Sequence, residues 1–126
     1  MTEFISPTDS ELEVLQFLWH YGECSVRQIN DLLNEKREVG YTTTLKIMQI
    51  MNEKGLVDRD TASRVHIYKA RIKETHTKKN LLNDFISTTF NGSSQALVMQ
   101  ALGNHKASKE ELQEIKDLIE QIENKK

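Results

Sequence analysis

The chain has 126 residues, 37% of them hydrophobic and 29% charged, with a formal net charge of −2, which suits one core or two very small modules. Its apolar runs, such as Leu97 to Met99, fall far short of the ~20 residues that span a bilayer, so no direct membrane insertion is expected. Met1 to Pro7 carries no basic residue and no long apolar stretch, unlike a signal peptide, and the expected compartment is the cytoplasm.

The lone cysteine, Cys24, cannot form an internal disulfide or build a thiolate metal cage. One proline and five glycines favour helices over a many-turned β fold. Charge is unevenly spread. Residues 1–23 hold five acids and no Lys or Arg, whereas residues 41–71 hold six cations against three acids. A near-neutral chain can therefore still present a basic face to phosphate.

In chain order, Thr8-Asp9-Ser10-Glu11 reads as a capping box opening a first helix, with Leu12, Leu15, Leu18 and Trp19 inward and Gly22 at its end. A second box, Ser25-Val26-Arg27-Gln28, opens a helix with Val26, Ile29, Leu32 and Leu33 inward. Gly40 permits a turn before a third helix, predicted from about Thr42 to Lys54 and stopped by Gly55. The pattern then alternates. Leu56–Asp60 and Val65–Tyr68 are predicted strands around a Thr61-Ala62-Ser63 turn, a two-stranded hairpin that needs helices to pack on. Three short helices followed by a hairpin is the winged helix-turn-helix arrangement.

From Lys73 onward only helices are predicted. Leu81, Leu82, Phe85, Ile86 and Phe90 mark one, Ala96 to Leu102 a short apolar second, and Ser108-Lys109-Glu110-Glu111 caps a third. In the last, Leu112, Ile115, Ile119 and Ile122 form a heptad-like seam. Such helices bury little among themselves, so a homodimer is expected through Leu82, Phe85, Ile86, Leu97, Leu102 and that seam. The fold class is mainly α with a small β-hairpin wing: a winged helix-turn-helix DNA-binding domain over 1–71 and a three-helix dimerisation domain over 72–126.

On a helical wheel the third helix carries Leu45, Ile47, Met48 and Met51 on one arc and Thr42, Thr43, Lys46, Gln49 and Glu53 on the other. Thr, Lys and Gln suit the edges of bases in a major groove. Arg64 at the turn, flanked by Arg59 and Lys69, suits backbone phosphates or a minor groove. Tyr41 can keep its hydroxyl exposed for a phosphate, while Tyr68 reads as a core ring. The partner expected from this pattern is double-stranded DNA; the alternative is a winged-helix adaptor whose third helix meets a protein. Enzyme readings find little support. The histidines, His20, His66, His76 and His105, form no HExxH or close ligand pair, and no glycine-rich phosphate cradle occurs. No catalytic residue, metal or cofactor is expected.

The ordered set Pro7-Thr8-Asp9-Ser10-Glu11-Leu12-Glu13-Val14-Leu15, Leu18-Trp19, Gly40-Tyr41-Thr42-Thr43, Glu53-Lys54-Gly55-Leu56-Val57 and Tyr68 resembles the penicillinase-repressor family, the BlaI/MecI-type bacterial winged-helix regulators. Gly92-Ser93 and Ala96 through Leu102 resemble its C-terminal dimerisation region, so the likeness covers roughly residues 5–125. The resemblance implies a homodimeric repressor on a dyad-symmetric operator, each subunit placing its third helix in a major groove. It also implies base contacts from Thr43 and Lys46 and backbone contacts at or near Tyr41, Thr42 and Arg64. In the family, a membrane-bound sensor metallopeptidase responds to β-lactams and the repressor is cleaved in its C-terminal domain, an antibiotic-resistance circuit. Staphylococcal members are cut at an Asn–Phe bond; the aligned pair here is Gln100-Ala101, a departure in specificity. The cysteine-rich tail of a copper-responsive branch is absent from Ile122-Glu123-Asn124-Lys125-Lys126, so copper sensing by that route is not expected.

Overall fold

The first two capping boxes are closed in the computed structural model, which describes residues 4–104 and 107–125. At α1 (Asp9–Tyr21) the Glu11 N–H donates to Thr8 Oγ1 at 3.2 Å and the Thr8 N–H donates to Glu11 Oε1 at 2.9 Å. At α2 (Val26–Asn34) the Gln28 N–H donates to Ser25 Oγ at 3.2 Å and the Ser25 N–H to Gln28 Oε1 at 2.8 Å. Each reciprocal pair satisfies donors that a first helical turn leaves open. α3 (Tyr41–Lys54) starts one residue earlier than expected, with Gly40 as N-cap, and ends at Gly55. Gly55 has φ 87°, a left-handed conformation that costs glycine nothing and other residues about 1–2 kcal/mol.

The chain forms two compact units, Met1–Leu81 and Leu82–Lys126. In the first, α1, α2 and α3 bury Val14, Leu15, Leu18, Val26, Ile29, Leu33, Met48 and Met51 together with Leu56, Val57 and Tyr68. Full burial of such a side chain contributes about 1.5–3 kcal/mol, so this cluster is the main source of the unit's stability. Val14 is wholly buried, whereas Leu12 and Trp19 are only half-buried. Trp19 instead uses its indole N–H to reach the Ile72 carbonyl at 3.1 Å, which ties the chain after the hairpin to α1.

The sheet departs from the expected two-stranded hairpin. Cys24 and Ser25 form a third strand, β1, beside β2 (Val57–Asp60) and β3 (Ile67–Ala70), in the antiparallel order β1-β3-β2. Arg59 pairs with Tyr68 and Asp60 with Ile67 in one ladder, while Cys24 pairs with Tyr68 in the other. β3 thus begins two residues later than predicted, and residues 61–66 form the loop. The cause is local. Asp60 Oδ1 accepts the Ala62 N–H at 2.9 Å and the Ser63 hydroxyl donates to the Val65 carbonyl at 2.8 Å, bonds that compete with extension of the ladder.

α4 (Glu74–Thr89) contains the division between the units. At its C-terminal end Asn91 and Gly92 take positive φ, and the Gly92 N–H donates to the Ile86 carbonyl at 2.9 Å. The Ser93 hydroxyl then accepts the Ala96 N–H at 3.1 Å, starting α5 (Ser94–Asn104). The third capping box opens α6 (Lys109–Asn124), with the Glu111 N–H on Ser108 Oγ at 3.1 Å. Neither α5 nor α6 contains a buried residue. No described helix is long and apolar enough to cross a membrane.

Candidate nucleic-acid interface

The outward arc of α3 follows from what its inward arc does. Met48, Met51 and Thr44 are fully buried and Leu45 and Ile47 half-buried, which leaves Thr42, Thr43, Lys46, Gln49 and Glu53 exposed on the opposite side. The turn that aims this helix is pinned by amides from α2. Asn30 Nδ2 donates to the Val39 carbonyl at 3.0 Å and to Thr44 Oγ1 at 2.8 Å; Asn34 Nδ2 reaches the same Val39 carbonyl at 2.8 Å, and the Val39 N–H returns to Asn34 Oδ1 at 3.1 Å. Such a network fixes the angle between α2 and α3 more narrowly than apolar packing does. Among the described residues no buried side-chain polar atom lacks a partner.

The loop after β2 carries Arg64, Val65 and His66, all exposed. Across from it lie Arg27, Tyr41 and Leu45, and together these side chains line a groove of about 350 Å3 between the helices and the wing. Of the sequence-predicted DNA residues, Tyr41 and Arg64 line that groove, while Thr42, Thr43, Lys46 and Gln49 stand on the exposed arc of α3 outside it.

Pairing redistributes the basic surplus of residues 41–71. Lys54 Nζ bonds Glu11 at 2.8 Å and the Arg71 guanidinium bonds Asp58 at 2.7 Å, so neither is a spare cation. Burial pushes the Glu11 carboxyl up, but the Lys54 ammonium and the Thr8 N–H outweigh it and hold the group below its usual value. Lys46, Arg59, Arg64 and Lys69 enter none of the ion pairs among the described residues. Lys46 stands on α3 and Arg64 on the loop of the wing, whereas Arg59 and Lys69 line a separate pocket with Glu23, Asp58 and Asp60.

Sequence reasoning missed Arg27. Its guanidinium carbon lies 4.9 Å from the Tyr41 ring centroid, a cation–π pair that joins the start of α2 to the start of α3. The available signal was a cation in the first turn of a helix, where the helix dipole disfavours positive charge.

Catalytic chemistry has no footing at Cys24, whose thiol is buried in β1 and pushed up by that burial, the opposite of a reactive thiolate. Among the described residues no group of three or more His, Cys, Asp or Glu side chains could hold a metal; His105 lies outside them. In the second unit, Leu82, Phe85, Leu102, Leu112, Ile119 and Ile122 are exposed, and Leu97 and Ile115 are half-buried. Ile86 alone of the predicted dimer residues is buried within the single chain. Gln100 and Ala101 lie exposed on α5.

The sequence model of the penicillinase repressor family matches residues 7–121. The chain is similar to the penicillinase repressor of Bacillus licheniformis, 24% identical over 119 residues and covering 94% of this chain and 93% of that one. It is 20% identical over 112 residues to the methicillin resistance regulatory protein MecI of Staphylococcus aureus strain N315, with 89% and 91% covered. Among solved structures, the DNA-binding domain of the repressor BlaI superimposes with a TM-score of 0.52 at 21% identity, covering 60% of this chain and 92% of that domain. Monomeric Bacillus licheniformis BlaI in complex with the blaP half-operator gives 0.51 at 21% identity, again over 60% and 92%. These superpositions show a winged-helix fold of the BlaI kind.

Proposed function

Because this chain belongs to the penicillinase repressor family, we propose that it is a sequence-specific transcriptional repressor, acting as a homodimer on a dyad-symmetric DNA operator. The observation that carries the reading is α3 itself. Its buried arc is fixed to the core, and its exposed arc offers Thr, Lys and Gln beside a wing loop whose Arg64 enters none of the ion pairs among the described residues. A helix of 14 residues, about 21 Å long, fits a major groove. In this reading Thr43, Lys46 and Gln49 meet base edges, and Tyr41, Thr42 and Arg64 meet the backbone.

In this reading residues 1–71 bind DNA and 72–126 dimerise, the first compact unit also taking in the start of α4 as far as Leu81. The exposed apolar side chains of α5 and α6, Leu102, Leu112, Ile119 and Ile122 among them, support a seam that a second copy covers. Two-fold symmetry then spaces the half-sites about one DNA turn, or a multiple, apart. The repressor works in the cytoplasm, with its DNA. The similar proteins include a penicillinase repressor and a methicillin resistance regulator, which supports β-lactam-type signalling through a membrane-bound sensor metallopeptidase that relieves repression by proteolysis. The candidate bond is the aligned pair Gln100-Ala101, which departs from the Asn–Phe of the staphylococcal members. Both residues are exposed on α5 within the single chain.

Selection of bound duplexes from a random pool at near-physiological salt, with Lys46→Ala alongside, tests the operator reading. A dyad-symmetric motif, altered or lost in the variant, is the expected result. Recovery of nothing beyond the input pool would refute it and favour the protein-adaptor alternative.

A further inference from the structure

The groove between α2, α3 and the wing holds cations on two sides. Arg27 comes from α2 and Arg64 from the loop, with Tyr41 and His66 beside them. Arg27 is exposed and enters none of the described ion pairs, although Asp31 follows it by one helical turn. Its one described contact is the face of Tyr41 at 4.9 Å. Stacking restricts a long side chain that would otherwise sweep freely, while the ring leaves the guanidinium edge and its fork of N–H donors open. A planar, pre-oriented donor without a carboxylate suits a phosphate.

The geometry points to a phosphate clamp: Arg27, held against Tyr41, grips a backbone phosphate of double-stranded DNA from one side of the groove, and Arg64 closes on the backbone from the other. This rests on the DNA-binding reading above and extends it by a residue outside the reading helix and the wing. The clamp sets how α3 enters the major groove. It carries no base preference, because phosphate contacts position a protein without specifying sequence. Arg27 is therefore a positioning residue, and its energetic signature is counterion release.

The test uses the full chain, titrated over a range of salt concentrations on the selected motif and on a random duplex. Arg27→Ala is expected to lower affinity about fivefold per DNA-bound chain near 0.15 M salt on both duplexes, and to reduce the slope of log affinity against log salt by about 0.9 per DNA-bound chain, or about 1.8 for a bound dimer. Arg27→Lys should restore the slope but only part of the affinity, since it keeps the charge and loses the planar fork. Tyr41→Leu should weaken binding less when Arg27 is already Ala than when it is present, since the platform then has nothing to hold. Lys36→Ala, two residues past the far end of α2, controls for charge acting at a distance and should leave the slope unchanged. Thermal melting of each variant checks the fold. An unchanged slope in folded Arg27→Ala would overturn the clamp. So would a changed base preference with an unchanged slope, which would make Arg27 a base reader. Absence of any motif with the unaltered chain strikes the operator reading instead; the slope on random duplex still decides the clamp.

Discussion

Removing the amide that pins the α2–α3 turn should cost stability and DNA binding together. Asn30→Ala deletes two hydrogen bonds, to the Val39 carbonyl and to Thr44 Oγ1. The Val39 carbonyl retains Asn34 Nδ2 at 2.8 Å, and the Thr44 hydroxyl can still donate to the Gly40 carbonyl at 3.4 Å, so no strong donor is stranded. The expected loss is about 1–3 kcal/mol, two bonds at about 0.5–1.5 kcal/mol each. For a unit of this size, a 2 kcal/mol loss lowers the melting temperature by about 8–16 °C. Thr44→Val, nearly isosteric, strands one N–H of Asn30 in the core and should cost about 1–3 kcal/mol by a different route. Once Asn30 is absent, Thr44→Val strands nothing. The double variant should then be more stable than the sum of singles predicts, by about 0.5–1.5 kcal/mol. Urea denaturation followed by circular dichroism measures the cycle, and operator titration of the folded fraction measures the consequence for α3. Strict additivity, or single losses below about 0.5 kcal/mol, would refute the idea that this network holds the turn.

Glu11→Gln keeps the cap acceptor but loses the charge paired with Lys54. With the carboxyl held below its ordinary 4.5 in the folded chain, its contribution is fully present above about that pH and is lost as pH falls through the folded value. At neutral pH the variant should be less stable by about 1 kcal/mol, the exposure of Lys54 keeping the figure low. Denaturation midpoints should converge under acid, and a gap that persists unchanged at pH 3 would contradict this. Gly55→Ala forces a side chain into φ 87° and sets its Cβ 3.1 Å from the Arg71 guanidinium; a loss of about 1–2 kcal/mol in a thermal or urea melt is expected, and a neutral result would show that the turn relaxes. Ile119→Glu places a charge on the exposed seam of α6. Sedimentation should show dissociation to monomer with the melting of the N-terminal unit unchanged, and an intact dimer would exclude Ile119 from the interface.

Much of the fold was legible because its signals are short in range. A capping box needs only residues three apart, and Thr8, Ser25 and Ser108 all form theirs. The two arcs of α3 follow from helical geometry once its ends are known. The wing was legible as alternation, but not in register, because Asp60 and Ser63 satisfy nearby backbone groups and delay the start of β3 to Ile67. The polar arc of the candidate interface could likewise be read from spacing, whereas Arg27 could not be linked to Tyr41, since nothing local relates the starts of two different helices.

The sequence alone determined where the helices with capping boxes begin, which face of each is apolar, and that the best chemistry on offer is recognition rather than catalysis. Each depends on neighbours within a turn or two of chain. Only the tertiary structure decided that Cys24 and Ser25 extend the sheet through Tyr68 and Ile67, that Asn30 and Thr44 tie α2 to α3, and which cations remain spare. Lys54 and Arg71 look as available as Lys46 and Arg64 in the sequence, yet Glu11 and Asp58 neutralise them across 43 and 13 residues of chain. A charge becomes free or paired according to what folding brings within hydrogen-bond reach, and that is set by the packing of the whole core.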